Sequence, residues 1–193
     1  MNFSWIPNAL CVLRMLLVLP IAWLLLHGEY WWTFAVFFIA AVTDALDGLI
    51  AKRCNWTSEL GKMLDPLADK LLLVTVFVTL AMIARVPVWL AVLVVSRDVV
   101  ITIGAILYRV LYGPLTDAAP TFISKLNTLV QILYVLGVMS SALIAWPGPQ
   151  LLILGVWLVA TTTLISGMDY VVTYGRLATV MRRVKQLSRG EPR

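Results

Sequence analysis

The sequence predicts an all-α integral membrane protein: one domain built as a bundle of six transmembrane helices. Three observations lead there. Hydrophobic residues make up 61% of the 193 residues and charged residues only 13%, against about 25% charged in a soluble domain. Six apolar runs approach the roughly 20 residues that cross a bilayer core. None of them alternates polar and apolar as a half-buried strand does.

Taken in order, the first run covers residues 9–26 and follows Pro7, a residue suited to a first helical turn. The others cover 30–51, 63–84, 87–112, 125–145 and 150–174, and a basic tail follows at 176–193. Connections are short except 113–124, which carries Pro114 and Pro120. The N-terminal MNFSWIPNAL has no basic n-region and no small-residue cleavage site, so the first run is expected to stay as a membrane helix. With no presequence, the expected location is a bacterial inner membrane.

Positive charge orients the bundle. Lys52, Arg53 and Lys62 follow the second run, Arg109 and Lys125 flank the long connection, and six basic residues from Arg176 to Arg193 fill the tail. The opposite connections hold only Arg85. Both termini are therefore expected in the cytoplasm. The tail reads as a topology determinant touching anionic headgroups, each cation contributing about 1 kcal/mol. Net charge is +5, yet the cations border apolar spans and form no soluble basic face, so nucleic acid is excluded as a partner. Tyr30, Trp31 and Trp32 fit an interfacial belt. Cys11 and Cys54 predict neither a disulfide nor a zinc site, and His27 reads as incidental.

The chemistry is concentrated in DALDGLIAKRCNWTSELGKMLDPLADK, residues 44–70, with aspartates at 44, 47, 65 and 69. One Asp at the centre of a membrane helix costs about 2.5–3.5 kcal/mol, and neighbouring carboxylates repel one another. On a helix Asp44, Asp47, Gly48 and Ala51 share one face, as do Gly61, Asp65 and Asp69. Two such faces turned toward each other form a carboxylate cage beside small residues that leave room for a bulky ligand. Hard oxygen ligands favour Mg²⁺ or Mn²⁺, and two such ions can clamp a diphosphate. Asp69, one turn past Asp65, is the candidate general base. Lys52 and Arg53 follow directly, placed for phosphate charge. Ion pairs with Lys52, Arg53, Lys62 and Lys70 would account for one or two of the aspartates, not for four beside Gly48, Ala51 and Gly61.

The string Asp44-x2-Asp47-Gly48-x2-Ala51-Lys52-x8-Gly61-x3-Asp65-x3-Asp69 resembles the signature of the CDP-alcohol phosphotransferase family. It departs at Lys52, where the family usually has Arg. The resemblance implies six membrane helices, usually in a homodimer, and a CDP-linked donor whose diphosphate lies on two metal ions. It implies that Asp44, Asp47, Asp65 and Asp69 ligate metal and that Asp69 also serves as base. Gly48, Ala51 and Gly61 would line the cytidine and diphosphate pocket. Asn8, in IPNALCVLR, is similar to a family residue near the nucleotide, and equally suits a helix N-cap.

IPN-x5-R, DPLADK and the Ser96-Arg97-Asp98 triplet resemble the branch of the family that uses CDP-diacylglycerol. Where phosphatidylglycerophosphate synthases of that branch carry further cations, this chain has Ala105 and Asn127. PTFISKLNT, residues 120–128, is similar to the cardiolipin synthase pattern. The resemblance thus implies a phosphodiester acceptor, phosphatidylglycerol, bound by Arg97, Lys125 and Asn127. The alternative acceptor is glycerol 3-phosphate. Arg97–Asp98 also reads as a pair that holds helices together, and Ser124 and Asn127 as helix-start chemistry. From another class, a cation transporter or channel also carries intramembrane aspartates, but the paired repeats and broken helices of transporters are missing.

Overall fold

A computed structural model describes residues 5–54, 59–112 and 121–188, with side chains described for residues 13, 15–43, 70–104, 106 and 121–173. The described residues form six α-helices: α1 (Trp5–Leu26), α2 (Tyr30–Cys54), α3 (Glu59–Met82), α4 (Val88–Tyr112), α5 (Phe122–Ile144) and α6 (Pro149–Ser188). Each expected apolar run lies on one helix. Phe122–Ile144 and Pro149–Thr173 are long and apolar enough to cross a membrane, and Met15–Leu26, Tyr30–Thr43 and Lys70–Met82 are shorter apolar stretches of the same kind.

Local chemistry sets the boundaries. Thr121 caps α5, its hydroxyl accepting from the Ser124 N–H at 3.3 Å, which starts the helix three residues before the apolar run predicts. Ala145 closes α5 in the left-handed region at φ 56°. Ala84, also at φ 56°, lies just past the end of α3, two residues beyond Met82. Gly28 at φ 74° makes the first turn, where a side chain would be strained. The largest departure is α6, expected to end at residue 174 and continuing to Ser188. Its forty residues extend about 60 Å, roughly twice a bilayer core. The added segment has no proline, and Gly175, a residue that often ends a helix, is carried inside α6.

The helices close a ring. α1 packs on α2 and α3, α2 on α5, α5 on α6, α6 on α4, and α4 on α3, while α3 also meets α5 across the middle. The ring order is therefore α1–α2–α5–α6–α4–α3. Ile21, Leu25, Phe37, Phe77, Leu90, Val135 and Met139 fill it.

Polarity is inverted relative to a water-soluble bundle. Leu19, Trp31, Met82, Ile103, Leu133 and Trp157 are exposed, whereas Arg97, Asp98, Asn127, Gln131, Thr163 and Ser166 are buried. Such an exterior fits a hydrocarbon solvent. Exposed threonines conform to it: Thr161 returns its hydroxyl to Trp157 O at 2.8 Å, and Thr43 to Ile39 O at 2.6 Å. Water exclusion does not drive helices together in lipid, so close packing matters more. Gly155 of α6 lets the Tyr134 ring of α5 approach; a Cβ there would stand 2.7 Å from Tyr134 Cδ2.

Candidate functional site

The carboxylate stretch is carried by continuous helices. Asp44, Asp47, Gly48, Ala51 and Lys52 lie on α2, Gly61, Asp65 and Asp69 on α3, and Asn8 on α1. The helical periodicity used to group them therefore holds for the backbone. Their side chains lie outside the described ones, as does the facing of the two groups. Among the described residues no cluster of three His, Cys, Asp or Glu side chains is found, and α2 and α3 are not neighbours in the ring, α1 lying between them.

Next to that stretch the described side chains begin, and they begin with a polar cluster. Lys70 follows Asp69 directly. Its Nζ donates to Thr102 Oγ1 of α4 at 2.9 Å, and that hydroxyl lies 2.7 Å from the carbonyl oxygen of Asp98. The bond ties the Asp69 end of α3 to the stretch of α4 that carries Arg97 and Asp98.

Arg97 is the centre of the cluster. It is 8% exposed, on a helix whose outer faces are Val and Ile. Nη1 donates to Asp98 Oδ1 at 2.6 Å, and Nη2 donates to Ser124 Oγ of α5 at 2.7 Å and to Ser166 Oγ of α6. One guanidinium thus joins three helices. Nε is buried and has no hydrogen-bond partner. Burying a cation in a low-dielectric interior is tolerated only when it is paired and hydrogen-bonded, and here the carboxylate and two hydroxyls do this. A buried donor left unmatched costs about 1–3 kcal/mol, so Nε–H is a position from which a further acceptor gains.

Below it lies a second layer. Asn127, fully buried, receives the hydroxyls of Thr162 at 2.9 Å and Thr163 at 3.0 Å on its Oδ1, and Gln131 Nε2 donates to Thr163 Oγ1 at 3.3 Å. Asn127 Nδ2 has no partner. The layer joins α5 to α6.

The expected acceptor residues therefore divide. Arg97 is inside the cluster. Asn127 faces the α6 threonines and bonds no member of the Arg97 group. Lys125 is exposed, and its backbone N–H donates to Thr121 O at 3.2 Å. Ser124 combines the two readings open to it, helix-start bonding through its N–H and a side-chain contact with Arg97. Thr102, Ser166 and Asp169 were not anticipated. Asp169, one turn past Ser166 on α6, has a buried Oδ2 without a partner. A carboxylate amid apolar residues was the readable signal for it.

The chain was compared with known proteins. A family model described as CDP-alcohol phosphatidyltransferase matches residues 4–168. Human cardiolipin synthase (CMP-forming) is 38% identical over 145 residues, 67% of this chain and 48% of that protein. The CDP-diacylglycerol--glycerol-3-phosphate 3-phosphatidyltransferase of Bacillus subtilis is 32% identical over 139 residues, 70% of this chain and 69% of that one. A cardiolipin synthase (CMP-forming) of Streptomyces coelicolor is 34% identical over 104 residues, 51% of this chain and 48% of that one. This chain spans about half the length of the human and rat relatives that it matches.

Proposed function

Since this chain belongs to the CDP-alcohol phosphatidyltransferase family, we propose that it transfers the phosphatidyl group of CDP-diacylglycerol to the free hydroxyl of phosphatidylglycerol, giving cardiolipin and CMP. The reaction takes place in a six-span bundle whose termini lie in the cytoplasm of a bacterial inner membrane, in a homodimer.

The observation that carries the acceptor is the charge balance around Arg97. Arg97 and Lys70 bring two positive charges, and Asp98, 2.6 Å from the guanidinium, cancels one. A phosphodiester carries a single negative charge, whereas a phosphomonoester such as glycerol 3-phosphate carries about −1.5 to −2. One net positive charge among these three side chains suits the diester. The names of the human and Streptomyces relatives support the same acceptor.

The four aspartates supply only hard oxygen donors, the set that Mg²⁺ and Mn²⁺ prefer. On this reading Asp44, Asp47, Asp65 and Asp69 would hold two such ions, which when bound would supply positive charge to the diphosphate and the departing CMP oxygen. Gly48, Ala51 and Gly61 leave space for the cytidine end, and Lys52 and Asn8 bind the nucleotide. Asp69 accepts the proton of the acceptor hydroxyl as its oxygen bonds to the phosphatidyl phosphorus. The bond from phosphorus to the CMP oxygen breaks, and CMP departs with the electron pair. The Lys70–Thr102 bond supports this arrangement, since it ties the helix that carries Asp69 to the helix that carries Arg97. Holding both lipids in one site makes the attack effectively unimolecular.

A second reading rests on the Bacillus subtilis relative: glycerol 3-phosphate as acceptor. An acceptor panel separates the two. Purified protein with CDP-diacylglycerol and Mg²⁺ is offered phosphatidylglycerol, glycerol 3-phosphate, serine and inositol. Cardiolipin formed from phosphatidylglycerol is expected. Product from glycerol 3-phosphate alone overturns the acceptor assignment.

A further inference from the structure

A groove of about 420 Å³ runs along the outside of the bundle between α4 and α6. Its walls are apolar and its floor is not. Val100 of α4 and Leu164, Met168 and Val171 of α6 form the sides and are exposed, while Arg97 lies at the bottom, buried. Gly167 keeps the groove open above the Arg97 stem. A Cβ at that position would lie 3.7 Å from Arg97 Cγ, ordinary contact, so anything larger would occupy the groove itself.

Two features argue against a plain lipid-facing seam. First, Arg97 is among the residues that line the groove, and a cationic side chain in an otherwise greasy slot selects a ligand with an anionic head and an apolar tail. Second, it lies on the α4–α6 side of the ring, away from α2, which carries Asp44 and Asp47, but joined through Lys70 and Thr102 to the Asp69 end of α3.

We infer that the α4–α6 groove holds an acyl chain of the acceptor phospholipid, with the acceptor's phosphodiester against Arg97. The inference rests on phosphatidylglycerol being the acceptor. It assigns the lateral route by which a lipid too apolar to cross water reaches the site directly from the bilayer. It also separates the two lipids: the donor's diphosphate is held by the aspartate stretch, and the acceptor enters between α4 and α6.

The test uses two groove-filling variants, Gly167→Leu and Leu164→Trp, and a lipid-facing control outside the groove, Leu133→Trp, whose parent residue is likewise exposed. KM is measured in mixed micelles for phosphatidylglycerol and, separately, for CDP-diacylglycerol. Each groove variant is expected to raise the KM for phosphatidylglycerol about tenfold or more, a loss of about 1.4 kcal/mol, while the KM for CDP-diacylglycerol and the control stay at wild-type values. A phosphatidylglycerol bearing a photoreactive acyl chain, applied to the unmodified protein, is expected to label residues 93–100 and 163–172. This readout does not depend on any variant folding. Unchanged KM for phosphatidylglycerol with labelling elsewhere, or an equal rise for both lipids, overturns the groove assignment while cardiolipin formation persists. If the wild-type protein makes no cardiolipin from phosphatidylglycerol, the acceptor reading itself fails and the groove assignment falls with it.

Discussion

Lys70 on α3 and Thr102 on α4 are joined by a 2.9 Å hydrogen bond from Nζ to Oγ1. The lysine adjoins Asp69 in the chain, and the threonine hydroxyl lies 2.7 Å from the carbonyl of Asp98. Two regions that are about thirty residues apart in sequence are thereby placed side by side. The bond ties the end of α3 that follows the aspartate stretch to the part of α4 that carries Arg97.

Thr102→Val keeps the shape and removes the acceptor for Lys70. A hydrogen bond to a charged group contributes about 1.5–3 kcal/mol, so turnover is expected to fall about tenfold or more. Thr102→Ser, which restores the hydroxyl, is expected to recover most of it. Steady-state kinetics of both variants check this, and equal activity in Thr102→Val and wild type would remove the bond from the mechanism.

Arg97→Ala leaves Asp98 buried and unpaired. Breaking one side of a buried ion pair costs about 3–5 kcal/mol. The expected outcome is a large fall in Tm in detergent, partly reversed in Arg97→Ala/Asp98→Ala, with phosphatidyl transfer lost in both. Recovered stability without recovered activity separates the structural role of the pair from its role in binding.

Gly155→Ala forces a methyl group to within 2.7 Å of the buried Tyr134 ring, which itself stacks on Phe77 with centroids 6.3 Å apart. Overpacking of this kind costs about 1–3 kcal/mol. A lowered Tm is expected, and Gly155→Ala/Tyr134→Leu is expected to restore it.

Asp69→Asn removes the proposed base. General-base catalysis contributes about 10²- to 10⁴-fold, so turnover should drop by at least that range while CDP-diacylglycerol is still retained. Near-normal turnover in the purified variant would take Asp69 out of the role.

Much of the architecture was legible in the sequence, because an apolar run of membrane length can only satisfy its backbone as a helix. Each run lies on one helix. The ends were less legible: α5 begins at a threonine cap, and α6 continues past Gly175 through a charged segment without proline. Arg97 stood out through the Ser96-Arg97-Asp98 triplet and its resemblance to the family branch. Its partner Ser166 did not, since hydroxyls cost little in such helices and carry no periodic pattern. Asn127 sits three residues after Ser124 on α5, yet it is turned to the threonines of α6. Spacing along one helix places a residue on a face; it does not say which neighbour occupies that face.

On the proposed reading, the aspartates of α2 and α3 seat divalent cations on which the diphosphate of a CDP-lipid is held. Equilibrium binding of labelled CDP-diacylglycerol to the purified protein, with and without Mg²⁺ or Mn²⁺, tests it most directly. Retention is expected only when the cation is present, and is expected to be lost in Asp65→Asn. Equal retention in EDTA and in Mg²⁺ would contradict it.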